Sequence, residues 1–112
     1  MIDACTLDLA PIGNCAVSAL VDRDGRFVWA CAPRVDGDPV FSALLGGENR
    51  ERGVWHIELM DQVHVDQGYD RNTPILRTTL TDSRGGSIEI IDFCPRFRRN
   101  NRVFRPLSFV RI

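Results

Sequence analysis

Fifteen carboxylates give this chain its widest chemical repertoire, because a suitably spaced pair can protonate a leaving group and activate a water. Most of them have simpler uses. Asp22 and Asp24 lie in Asp22-Arg23-Asp24-Gly25, where aspartate is favoured for turn formation, and Asp38 stands before Pro39, where it can cap a helix. Glu58, Glu89 and Asp92 fall in strand-like stretches, facing either solvent or a neighbouring domain. An autonomous acid–base pair is therefore not expected. His56 and His64 sit on separate predicted strands with no third ligand of matching type nearby, so no metal site is expected. There is no Gly-x-Ser-x-Gly nucleophile motif and no glycine-rich phosphate loop. No catalytic residue and no cofactor is assigned.

Residues that could bind are more informative. Pro33-Arg34-Val35-Asp36 follows a core strand and carries an arginine and an acid to a rim without burying their charge. Arg34 and Asp36 either pair locally to close the loop, or face a neighbouring domain where Arg34 could donate paired hydrogen bonds to sugar hydroxyls. Trp29, Trp55 and Tyr69 invite a sugar-stacking reading, but a domain this small needs aromatic area for its core, and Trp29 is assigned there. Trp55 remains a candidate for a domain interface or the rim of a sugar site. Arg96, Arg98, Arg99, Arg102 and Arg105, with Phe97 and Phe104 interleaved, form the one charge cluster. It lies between two strands with a turn-like tip at Asn100-Asn101, and is read as a solvated loop or interdomain contact in preference to a nucleic-acid stripe.

The elements that would position these residues are mostly strands. Asn14 to Val21 and Arg26 to Cys31 read as a hairpin, with Gly25 supplying the positive φ of its turn. One short helix is expected over 38–45, where Pro39 suits a first turn, Val40, Phe41, Leu44 and Leu45 have helical spacing, and Gly46-Gly47 stops the run. Strand signals return at 54–60, 63–69, 75–81 and 87–93, the last two joined as a second hairpin. Short strands at this spacing, without helical patterns between them, predict an all-β antiparallel sandwich. Leu107, Phe109 and Ile112 carry a strand pattern to the last residue, so the sandwich is expected to be incomplete, with an open edge covered by another domain or another copy.

Composition agrees with one folded domain: hydrophobic residues make up 44%, charged residues 26%, and the net charge is −1. All fourteen basic residues are arginines, which is read as a compositional habit. No apolar run approaches the ~20 residues needed to span a bilayer. The amino terminus opens with an acid where an export signal would carry basic residues, so a cytoplasmic location and reduced, mostly buried Cys5, Cys15, Cys31 and Cys94 are expected.

Four stretches, in order, resemble the N-terminal domain of bacterial family 15 glycoside hydrolases of the glucoamylase and trehalase type. They are Ile12-Gly13-Asn14 with Ala19-Leu20-Val21 and Asp24-Gly25; Trp29 through Asp36 running into Phe41-Ser42-Ala43-Leu44-Leu45-Gly46; Asn72 through Leu80; and Ile90-Ile91-Asp92-Phe93-Cys94-Pro95 followed by Arg105-Pro106 and Val110-Arg111-Ile112. The chain departs from the pattern at Asn14-Cys15, where an acid and a glycine are usual, at Gly37, where serine is usual, and in the basic stretch 96–105. The resemblance implies a β-sandwich followed by an (α/α)6 barrel that hydrolyses α-glucosidic bonds with inversion, using two carboxylates of the barrel. Residues 1–112 would be the front of the sandwich, with the barrel outside them. The implied role is a non-catalytic structural and interaction module whose partner is that barrel. The alternatives are a freestanding module that binds α-glucosides and an oligomerising fragment. Nucleic acid and membrane are not expected partners.

Overall fold

The computed structural model describes residues 8–34, 36–45 and 53–112. Gly46, Gly47, Val35 and Cys5, used in the sequence reading, lie outside the described residues.

Gly25 adopts φ 78°, and the Asp22 carboxylate accepts hydrogen bonds from the backbone N–H of Asp24 (3.0 Å) and Arg26 (2.9 Å). These bonds close a tight turn between β2 (Ser18–Val21) and β3 (Phe27–Cys31), the first expected hairpin. β1 (Ala10–Gly13) pairs with β2 on one side and β4 (Pro39–Phe41) pairs with β3 on the other, giving an antiparallel meander in the order β1-β2-β3-β4. Both edge strands contain proline, Pro11 and Pro39, in keeping with the lost N–H being tolerated only where no further strand follows. That is also why sequence reading missed β1 and read Pro39 as a helix start. The short helix expected over 38–45 is reduced to a single 3₁₀ turn at Ala43–Leu45, because Pro39 and Phe41 are drawn into pairing with Cys31 and Ala30.

The second sheet has the order β10-β7-β6-β5, from β5 (Gln62–Tyr69), β6 (Leu76–Asp82), β7 (Ser87–Phe93) and β10 (Val110–Arg111), all antiparallel. The expected β6–β7 hairpin turns through Gly85, at φ 86°, with Asp82 accepting from the N–H groups of Arg84 and Gly86. The strand expected over 54–60 does not form. Trp55 makes one bridge to Phe27, and the rest of that run is irregular. A small separate hairpin, β8 (Phe97–Arg99) and β9 (Arg102–Phe104), stands between β7 and β10.

Alternation decides which faces meet. Leu76, Thr78 and Leu80 of β6 are buried, and across the ladder Ile90 and Asp92 of β7 are buried with them. Opposite, Ile12, Val17, Ala19, Val21, Phe27 and Ala30 join Leu76 and Cys94 in one core cluster, flanked by Phe41, Trp55 and Phe109. The architecture is therefore an all-β antiparallel sandwich. Polar bonds also cross between the layers: the Tyr69 hydroxyl donates to the Pro11 carbonyl (2.6 Å), and the Gln67 amide donates to the Asp22 carbonyl (2.9 Å) while also bonding Thr78 Oγ1 (3.1 Å) on its own sheet. A Cβ at Gly25 would approach Thr78 Cγ2 to 3.2 Å, so the β2–β3 turn sits directly on the second sheet.

Candidate functional site

Three places gather polar side chains into defined geometry, and one of them holds the arginine and acid that the sequence offered as binding residues. The first is the loop after β3. Ala32-Pro33 is a cis peptide, the Gly37 N–H donates to the Arg34 carbonyl (3.1 Å), and Arg34 Nη2 meets Asp36 Oδ2 at 2.8 Å with the two side chains 75% and 64% exposed. The local pair is thus present, and an exposed pair of this kind adds little stability. Its exposure leaves both side chains presented at the surface.

Trp55 lies elsewhere. It bridges Phe27 at the start of β3, whereas Arg34 follows the strand's end, about 13 Å further along at strand rise. The indole packs edge-on to Phe27 at 5.0 Å and tilted on Phe41 at 6.1 Å, and the Arg111 guanidinium lies over its ring at 5.1 Å. The ring's surroundings are those of a packing residue. Trp29, assigned to the core, is instead half-buried and outside the core cluster. It pairs with Leu20 on the face opposite Ala19 and Ala30, because the irregularity at Leu20/Val21 shifts the alternation of β3.

The second place was not found from sequence. Arg111 and Asp92 are paired across β10 and β7 with their side chains 2% and 0% exposed. Arg111 Nε and Nη2 donate to the two Asp92 oxygens at 2.7 and 3.0 Å, Nη1 donates to the Trp55 carbonyl at 3.1 Å, and Nη2 also donates to the Gly25 carbonyl. The guanidinium plane lies over Phe27 at 4.3 Å. One side chain therefore ties β7, the β2–β3 turn and the Trp55 segment together, with every bond charge-assisted or to a carbonyl. Two buried charges cost several kcal/mol each in desolvation, and only this full set of partners offsets it. The signal available in sequence was an arginine within an otherwise apolar strand end, Val110-Arg111-Ile112.

The third place is the root of the β8–β9 hairpin. Asn14 is 3% exposed, and its amide nitrogen donates to the Pro95 and Pro106 carbonyls, both at 2.8 Å, while its oxygen accepts from the N–H groups of Ala16 (2.9 Å) and Val17 (3.1 Å). Pro95 and Pro106 flank the hairpin, so Asn14 fastens both of its legs. Cys15 follows at φ 73°, a conformation that favours glycine. Beside this root a cleft of about 410 Å³ opens between Thr73, Pro74 and Ile75 on one wall and Phe93, Pro95 and Phe97 on the other. Cys94 also lines it, and burial pushes that thiol up to about 11, which leaves it unreactive near neutrality. Among the described residues Cys15, Cys31 and Cys94 are free, the last two buried.

The buried acids are committed to structure. Asp92 holds Arg111, and Asp22 closes its turn and accepts from Arg26 Nε at 2.6 Å. On the outer face of the second sheet Arg77 bonds both Asp70 and Glu89, and its hydrogen bonds hold the Asp70 carboxyl below the usual carboxylate range. Among the described residues no group of three or more potential metal ligands gathers, and no helix is long and apolar enough to cross a membrane.

With this geometry in place, comparison with known proteins decides the family. The model for "Trehalase-like, N-terminal" matches residues 4–108. The chain belongs to the trehalase-like N-terminal family. Trehalase 1 of Sulfolobus acidocaldarius is 37% identical over 102 residues, covering 88% of this chain and 17% of that protein. The trehalase of Thermoplasma volcanium is 31% identical over 86 residues, covering 75% of this chain and 14% of that protein. The chain thus spans less than a fifth of the length of these relatives. No solved structure matches the chain.

Proposed function

We propose that residues 1–112 act as the N-terminal, non-catalytic module of an α-glucoside hydrolase of the trehalase type, within glycoside hydrolase family 15. In this reading an (α/α)6 barrel carries out the inverting hydrolysis, and the sandwich packs against it. The family match over residues 4–108 carries the proposal. It is supported by the use of the buried carboxylates: Asp22 and Asp92 spend their oxygens on a turn and on Arg111, leaving them no freedom to protonate a glycosidic oxygen or activate water. The surface that meets the barrel is the 32–38 loop, where Arg34 and Asp36 stand exposed and already oriented by their mutual bond. Arg34 can exchange Asp36 for a carbonyl, a carboxylate or a sugar hydroxyl, because an exposed pair of this kind holds it only weakly. Trp55 acts from beneath, as the carbonyl and aromatic support of Arg111. Glucose release from trehalose, maltose and starch by the purified chain tests the non-catalytic assignment. None is expected, and turnover that persists through purification contradicts it.

A further inference from the structure

Five of the fourteen arginines, and none of the fifteen acids, lie between positions 96 and 105, which leaves the remainder of the chain at −6. That stretch is built as a projecting, ordered hairpin. All six residues of β8 and β9 are exposed, Phe97 and Phe104 stack at 5.4 Å and 18°, and Asn100 and Asn101 turn the chain at φ 51° and 60°. Asn14 fixes both legs at the root. None of the five arginines pairs with an acid among the described residues, and the apolar cleft lies directly beside Arg96 and Phe97. Exposed aromatics among arginines are the composition of an interface centre rather than of a solvated loop.

The same chain carries a surface of the opposite character. Met60 is 83% exposed and Val63 65%, and Glu58, Asp61 and Asp66 around them are exposed and form no ion pair among the described residues. This acidic and apolar segment leads into β5, the long edge strand of the second sheet. Within one copy the two surfaces cannot meet. Gln62 pairs with Asp82 at one end of the sheet, while Tyr69 pairs with Leu76, and Leu76 with Asp92, at the other end, from which the chain leaves for the hairpin. Seven strand steps put Gln62 about 23 Å from that end, and Asp66, three steps or about 10 Å from it, lies on β5 with β6 between it and β7, roughly a further 10 Å across the sheet.

We propose that the chain pairs with a second copy of itself, the β8–β9 hairpin of each copy docking on the 58–66 segment of the other. Placing complementary surfaces toward opposite edges of one sheet suits an antiparallel two-fold arrangement, in which both contacts form at once and the assembly closes. Guanidinium groups then meet the carboxylates of Glu58 and Asp66, and Met60 has the cleft at the hairpin root as its receptacle.

Sedimentation equilibrium of the 112-residue chain at low and at physiological salt tests this. A reversible dimer is expected, weaker at the higher salt. Arg98→Glu with Arg102→Glu, and separately Glu58→Arg with Asp66→Arg, should each weaken it about tenfold or more. All four positions are exposed, so the fold is spared. Mixing the two variants is the decisive arm, because the mixed pair has a complementary charge at both contacts and should dimerise where each variant alone does not. A chain that stays monomeric at all concentrations, a dimer indifferent to both substitution pairs, or a hairpin that binds an oligothymidylate while the chain remains monomeric overturns the proposal.

Discussion

Arg111 and the arginines of the β8–β9 hairpin are the same residue type in opposite circumstances. The side chain of Arg111 is 2% exposed and donates to Asp92 and two main-chain carbonyls while lying over the rings of Phe27 and Trp55. Arg98, Arg99 and Arg102 are exposed on a two-stranded ribbon with no acid paired to them among the described residues. The contrast separates two jobs. A buried guanidinium that uses its donors on fixed partners specifies how layers stack, whereas exposed ones cost the fold almost nothing and remain free to meet a partner.

The largest expected effect breaks the buried side of this comparison. Asp92→Ala leaves Arg111 buried without its counter-charge and should cost about 3–5 kcal/mol in urea unfolding, whereas Asp92→Ala combined with Arg111→Met should recover much of that loss. A single substitution that leaves stability unchanged would show that the pair is not the tie between layers.

A smaller effect sharpens the boundary between the two regions. Asn14→Ala removes both donors that fasten the hairpin's legs and should cost about 1–3 kcal/mol, with faster amide exchange at residues 97–104 as its specific sign. Asn14→Asp is expected to be no better, since a carboxylate has no proton to give two carbonyls. The amide of Asn14 is matched to its hairpin root, donating twice and accepting twice.

The smallest effect has the opposite sign. Cys15 holds φ 73°, a left-handed conformation that favours glycine, so Cys15→Gly should raise stability by about 1 kcal/mol. A loss in the unfolding midpoint would mean that the exposed thiol contributes contacts outweighing the backbone strain.

Much of the fold was legible because local chemistry and tertiary need agree. Asp22 and Gly25 are turn residues wherever they occur, and alternation through 76–82 and 87–93 matches the buried faces of β6 and β7. The failures have one physical origin, in tertiary partners that no local pattern encodes. Val54 to Met60 has strand composition, yet only Trp55 finds a strand to bridge. Val40, Phe41, Leu44 and Leu45 have helical spacing, yet the free edge of β3 captures Pro39 and Phe41. Trp29 and Trp55 exchange their expected places because one irregularity in β3 turns Trp29 outward, while Phe27 and Arg111 gather Trp55 in. Of the candidate site, the Arg34–Asp36 pair was legible from two-residue spacing in a loop. The roles of Arg111 and Asn14 were not, since both depend on partners brought from distant positions.

The most direct test of the functional account is reconstitution with an isolated (α/α)6 barrel of the trehalase type, following both binding by calorimetry and glucose release from trehalose. The account predicts a one-to-one complex, activity above that of the barrel alone, and loss of both on Arg34→Ala with Asp36→Ala while the module's own unfolding midpoint is unchanged. A module that neither binds the barrel nor alters its activity would contradict the assignment.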